Sequence, residues 1–195
     1  MRAMSSRGGR AAQVGYILNE MLLAVAVFAV LTGIAGMSFQ ALKRSAQADD
    51  QALKFATLAN DIRKSYRPAG TFTTLAATGV AKLGLVQKPM YTDGTNIFDT
   101  WANQLQFSGS DTACDIILGG NGVMTPQECT AFAAAVQDSA YEVRIGAAVV
   151  LGSGATLGRT TGGNGYKTAG GTFDGAALAT GCADASTRIG VSFDG

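Results

Sequence analysis

From Met21 to Leu42 the chain carries no charged side chain, and Glu20 stands immediately before that run. As a helix rising ~1.5 Å per residue the run reaches roughly 33 Å, about the thickness of a bilayer's hydrocarbon core. Its first part, MLLAVAVFAVLTGIAG, is apolar on every side, so it is no ordinary amphipathic surface helix. Ahead of it lies a polar head with Arg2, Arg7 and Arg10 and no acid, a charge order that holds the N-terminus in the cytoplasm.

Three readings fit this beginning. One is a secretory signal peptide cut after the apolar run, near Gly33 and Ala35. The second is a plain membrane anchor. The third turns on Glu20, because signal-peptide logic places only positive charge before the apolar stretch. A carboxylate at membrane depth costs on the order of 3 kcal/mol and needs a partner. Cleavage after Gly15 would supply one: the new α-amino group of Tyr16, four residues and about one helical turn from Glu20.

A basic leader ending in Gly15, then Tyr16, three further residues, Glu20 and a long apolar helix resembles the N-terminus of a type IV prepilin. Tyr16 departs from the Phe, Met or Leu usual at the first mature position. The resemblance implies cleavage at Gly15–Tyr16 by a prepilin peptidase, N-methylation of Tyr16, and a Glu20 that pairs with the terminal amine of a neighbouring subunit. Four further segments look like those of the type IVb group, which holds the toxin-coregulated and PilS-type pilins. They are LANDIRKSYRPAGTF (58–72), NIFDTWANQLQF (96–107), MTPQECTAF (124–132) and GCADASTRIGVSF (181–193). In the second, Ala102-Asn103 stand where the family usually has two glycines after the tryptophan.

Residues 16 to 67 contain no proline, and Pro68 follows, so one helix over 16–67 is expected. Its first part, 16–42, is the transmembrane or filament-core part. In its second, 43–67, Ala52, Phe55, Ala59, Ile62 and Tyr66 recur at spacings of three and four, a stripe that packs on a head. Residues 1–15 are the leader and 68–195 the head. Within the head the pattern predicts a short helix at 75–83, strands at 104–108, 141–151 and 188–193, and a helix at 125–136. That last helix has Thr125 at its N-cap, Pro126 at N1 and Glu128 at N3. The glycine-dense stretch 146–175 reads as turns in an exposed loop. Two GGNG tetrapeptides, at 119–122 and 162–165, lack the ending of a phosphate-binding loop. The expected fold is therefore α+β, a long N-terminal helix on an antiparallel sheet, which is the type IV pilin fold that the resemblance implies.

Chemistry-bearing residues are sparse. The chain has no histidine, which removes imidazole nucleophile systems, metal sites and pH switches. Fifteen basic against 14 acidic residues give a net charge of +1, which argues against a basic nucleic-acid-binding surface. Asp49-Asp50 read as a solvated helix face, Asp111, Asp115 and Asn121 lack calcium-loop spacing, and Trp101 reads as core. Cys114, Cys129 and Cys182 allow three single pairings. The resemblance favours Cys129–Cys182, closing 129–182, with Cys114 left buried or free to pair elsewhere.

The reading is a structural subunit, not an enzyme, with no cofactor and no metal. It waits in the bacterial inner membrane as a precursor and is processed by the peptidase. The assembly machinery of that membrane then builds it into a homopolymeric extracellular pilus, with a minor pilin or adhesin as a further partner. A fibre of this kind would serve adhesion, aggregation or conjugation. Two alternatives stay open: a type II secretion pseudopilin, and a Sec-secreted soluble ligand-binding domain.

Overall fold

The computed structural model describes residues 9–121, 124–156, 158–169, 171–184 and 186–194. Side chains are described at 21–23 and 25–27 and, Ala155 excepted, from 42 onward within those ranges. Arg2 and Arg7 of the expected leader therefore lie outside the described residues. The chain divides into two compact units, Met1–Lys43 and Arg44–Gly195.

Helix α1 runs Gly9–Tyr66. It begins inside the expected leader rather than at residue 16, since 9–15 contain no proline and two alanines. It ends one residue before the expected position, where a 3-10 turn, Arg67–Ala69, carries Pro68 and closes on Gly70 at φ +69°. In the unit Arg44–Gly195 the expected stripe of Ala52, Phe55, Ala59, Ile62 and Tyr66 is buried, joined by Ala48 and Leu58.

That stripe belongs to one core with a five-stranded antiparallel sheet. Its strands are β3 (Gln106–Gly109), β4 (Ala113–Gly119), β5 (Glu142–Gly146), β8 (Asn164–Lys167) and β9 (Arg188–Asp194), in the order β3-β4-β9-β5-β8. Register explains which side chains meet the helix. Cross-strand rows Cys114–Phe193, Ile116–Val191–Val143 and Leu118–Ile189–Ile145 all belong to the core. The alternate row, Ser108–Asp115–Ser192–Glu142, takes the opposite face, because successive residues of a strand alternate sides.

Two small pairs complete the strands: β1 (Tyr91–Thr92) with β2 (Ile97–Phe98), and β6 (Val150–Leu151) with β7 (Thr160–Thr161). The β6–β7 segment lies against the far face of the sheet. A Cβ at Gly190 would come within 2.6 Å of Thr160 and 2.7 Å of Val149, so the glycine is what admits this close layer. Three shorter helices are α2 (Ala77–Lys82), α3 (Pro126–Val136) and α4 (Gly175–Gly181).

Several expectations shift. The strand expected at 141–151 is two, broken after Gly146 at φ +135°. The strand expected at 104–108 starts two residues later. Beyond Leu151 the stretch expected as turns in an exposed loop contains β7 and the edge strand β8 and leads into α4. Strand β4 was not foreseen.

Candidate functional site

Gly15, Tyr16 and Glu20 fall within α1, so one helical turn of backbone separates Tyr16 from Glu20. The Gly15–Tyr16 bond that the leader reading cuts is thus flanked by helix on both sides. The side chains of all three lie outside the described residues. Just beyond, Met21, Leu22, Leu23, Val25 and Val27 are each half or more exposed. Among the described residues no helix is long and apolar enough to cross a membrane.

In the head, Cys129 and Cys182 form a disulfide across a sequence separation of 53 residues, with their Cα atoms 5.7 Å apart. Each cysteine sits on a locally specified helix. Thr125 and Glu128 cap α3 reciprocally: the Glu128 amide donates to Thr125 Oγ1 (3.3 Å), and the Thr125 amide donates to Glu128 Oε2 (2.8 Å). This turns Cys129 and Phe132 inward, where Phe132 meets Phe55 edge-on at 5.4 Å and Trp101 at 6.2 Å. Asp174 caps α4 by accepting from the Ala176 and Ala177 amides (2.9 and 3.0 Å), and Cys182 follows as its C-cap. Gly181 lets α4 press on β5, since a Cβ there would fall 2.8 Å from Ile145.

Cys114 is free and buried in β4, and burial pushes its thiol up to about 12. It stays protonated, and so is a poor nucleophile and a poor metal ligand. Asp49 and Asp50 are exposed. Asp111 is exposed in the turn before β4 whereas Asp115 is buried within it, so these two carboxylates do not form one site. Among the described residues no group of acids and cysteines could hold a metal ion.

Sequence reasoning missed two features. The first is Asp115 itself. It is fully buried, and among the described residues neither carboxyl oxygen has a hydrogen-bond partner. The hydroxyl of neighbouring Ser192 accepts from the Thr160 amide at 3.2 Å, which leaves its O–H free to turn toward the carboxyl. Burial pushes the Asp115 carboxyl up to about 7, with Glu142 adding to the rise and Ser192 and Arg159 opposing it.

The second is the turn at 99–103. Asp99 Oδ1 accepts from the Trp101 and Asn103 amides (2.8 Å each), and Asn103 Nδ2 donates back to Asp99. Burial raises the Asp99 carboxyl even so. Ala102 holds φ +61°, the left-handed region that a side chain disfavours. This is the position where the resemblance noted above has glycine, so the departure is borne as backbone strain. Ala102→Gly is expected to stabilise the head by about 1 kcal/mol. Denaturant unfolding of the two proteins checks this, and an unchanged midpoint would show the turn to be unstrained.

No family model matches the chain, and no curated protein matches it. Among solved structures, it is similar to the crystal structure of TcpA, a type IV pilin from Vibrio cholerae El Tor biotype. The TM-score is 0.46 and the identity 16%, over 77% of this chain and 98% of that one.

Proposed function

We propose that the chain is the precursor of a type IVb pilus subunit, a structural protein that polymerises and performs no catalysis. The observation that carries this reading is a single helix with two chemistries. Gly15, Tyr16 and Glu20 precede an uncharged apolar run, and the same helix, α1, continues into the buried stripe of an α+β head. A prepilin peptidase cuts between Gly15 and Tyr16 and methylates the new amine. The processed subunit is held in the inner membrane by residues 16–42 until the assembly machinery draws it into the fibre. There the apolar run of one copy packs on that of its neighbours, and apolar burial replaces lipid. The Glu20 carboxylate meets the Tyr16 amine of an adjacent copy. A buried ion pair of this kind adds little net stability but fixes the axial offset between subunits.

The mass of the mature N-terminus tests the reading. A chain that starts at Tyr16 and carries one added methyl group is expected. A start near Gly36 would make the protein a Sec-secreted domain, and retention of Arg2, Arg7 and Arg10 would end the proposal. A second expectation concerns Glu20→Ala. This variant should be processed and membrane-held like the wild type, with fibre yield on cell-surface micrographs down at least about tenfold, because the unpaired amine of the neighbouring copy would be left buried. Wild-type yield would remove Glu20 from assembly. Glu20→Gln separates the charge from the hydrogen bond.

A further inference from the structure

The row Ser108–Asp115–Ser192–Glu142 crosses the sheet on the face turned away from α1, and the β6–β7 pair closes over its middle. Thr160 of β7 sits on Ser192: its amide donates to Ser192 Oγ at 3.2 Å, and the two hydroxyl oxygens lie 3.4 Å apart. Val149, just ahead of β6, is fully buried and presses with Thr160 on Gly190. Under this cover Asp115 has no exposed surface, and among the described residues neither carboxyl oxygen has a hydrogen-bond partner.

The cover is held differently from the sheet beneath it. Strands β4, β9 and β5 are joined by continuous backbone ladders. Among the described residues, the only backbone bond from the cover to those strands runs from the Val149 amide to the Gly146 carbonyl (3.2 Å), in the turn where the chain leaves β5. The other tethers pass through side chains: Ser192 under Thr160, Arg188 Nη1 to the Val149 carbonyl at 3.4 Å, and Arg159 to Asp194. The chain enters and leaves the cover at glycines of positive φ, Gly146 at +135° and Gly162 at +72°. A segment with so few backbone bonds to its surroundings opens at lower free energy than a ladder strand.

The charged groups around Asp115 are already engaged. On β9, Arg188 is turned to the Val149 carbonyl and Asp194 to Arg159; on β5, Arg144 Nε holds Glu142 at 2.7 Å. Arg159, from the cover, also stacks 4.2 Å from the Tyr141 ring. Strand β3 brings only Ser108, and Asp111 in the turn after it is exposed and accepts from Thr71. A neutral Asp115 is served by the Ser192 hydroxyl. An ionised one needs several donors at once, and water is the group left to supply them. The α1 stripe closes the other face of the sheet, so water reaches Asp115 by the lifting of β6–β7.

We infer that the β6–β7 pair is a proton-latched cover, closed over a neutral Asp115 and opened when that proton passes to solvent. Burial pushes the carboxyl up to about 7, so the latch works near neutrality. In the open form the carboxylate is hydrated and ionises in its ordinary range. Each pH unit between that range and about 7 therefore favours the open form by up to about tenfold.

Residue-resolved hydrogen exchange of the full chain in detergent micelles tests the latch. Asp115→Asn is the reference, because the intrinsic effect of pH on exchange cancels in the ratio. The Thr160 amide reports on the cover, and the amides of the β4–β9 ladder report on the sheet. Thr160 is expected to exchange at least about tenfold faster than the ladder at both pH 5 and pH 8, since only the cover has to lift. From pH 5 to pH 8 its rate relative to the variant should rise at least about tenfold. Glu142→Gln removes a charge that opposes ionisation of Asp115, so it should keep the effect and move it to lower pH. Thr160 exchange in step with the ladder overturns the inference, as does wild-type Thr160 protection that is the same at both pH values; neither result needs a variant. A pH effect that persists in Asp115→Asn, or that vanishes in Glu142→Gln, overturns it too.

Discussion

A chain with Cys129 and Cys182 both replaced by alanine is expected to lose about 4 kcal/mol of head stability, the chain-entropy value for a crosslink of this span. The bond ties residues 53 apart in sequence, and the intervening stretch contains the glycine-dense segment that leads to α4. Glycines gain more conformational freedom on unfolding than other residues, so a crosslink around them restricts an unusually open ensemble. The same bond holds α3, whose Phe132 fills the centre of the core, to the end of α4. Denaturant unfolding of the double variant beside the wild type measures the effect, and reduction of the wild type should reproduce it. A loss below about 1 kcal/mol would mean that packing alone sets the geometry of this region.

Asp115→Asn should remove a pH dependence that the wild type carries. The unfolded chain releases this proton in the ordinary carboxylate range, while the folded protein holds it up to about 7. Between those limits the folded state binds more protons, so wild-type stability falls as pH rises, by up to about 1.4 kcal/mol per unit. Below the window both states are protonated, and above about 7 both are ionised, so the contribution levels off at its least favourable value. Asn cannot ionise. The variant should match the wild type near pH 4 and exceed it by a few kcal/mol, roughly 3 to 4, at pH 8. The groups that bear on Asp115 are Ser192 on β9, Glu142 on β5, and Arg159 ahead of β7, whose guanidinium also stacks 4.2 Å from the Tyr141 ring. Unfolding midpoints at pH 4, 6 and 8 decide the matter; parallel curves for the two proteins would mean that Asp115 is ionised throughout.

The parts of this fold that were legible are those in which one local rule acts alone. The stripe from Ala52 to Tyr66 announces a helix with one buried side, and Thr125, Pro126 and Glu128 announce the start of α3, because a cap is a contact between near neighbours in sequence. Strand β4 obeys no such rule. Six of its seven residues are buried, for α1 covers one face and the β6–β7 segment the other, so the alternation that marks a half-buried strand is absent. Asp115, an acid at its middle, disguised it further. The glycine-dense segment misled for a related reason. Within it Gly158 and Gly163 leave room for Ser110 and Val149 to come close, and sequence alone does not separate that role from a turn. Of the site residues, Gly15, Tyr16 and Glu20 were legible as a spacing. The groups around Asp115 come from segments far apart in sequence and meet only in the fold.

The position of β9 has a consequence for how the head matures. In the sheet, β3–β4 and β5–β8 share no hydrogen bonds with each other, and residues 188–194 join them by pairing with both. Until residues 188–194 have been synthesised, the two halves have no strand in common, and only the earlier α1 stripe is there to meet both of their apolar rows. Closure comes as a single late event in which one ribbon slides between two waiting edges. A chaperone that shields those edges would raise the yield of the native protein more than one that acts on α1.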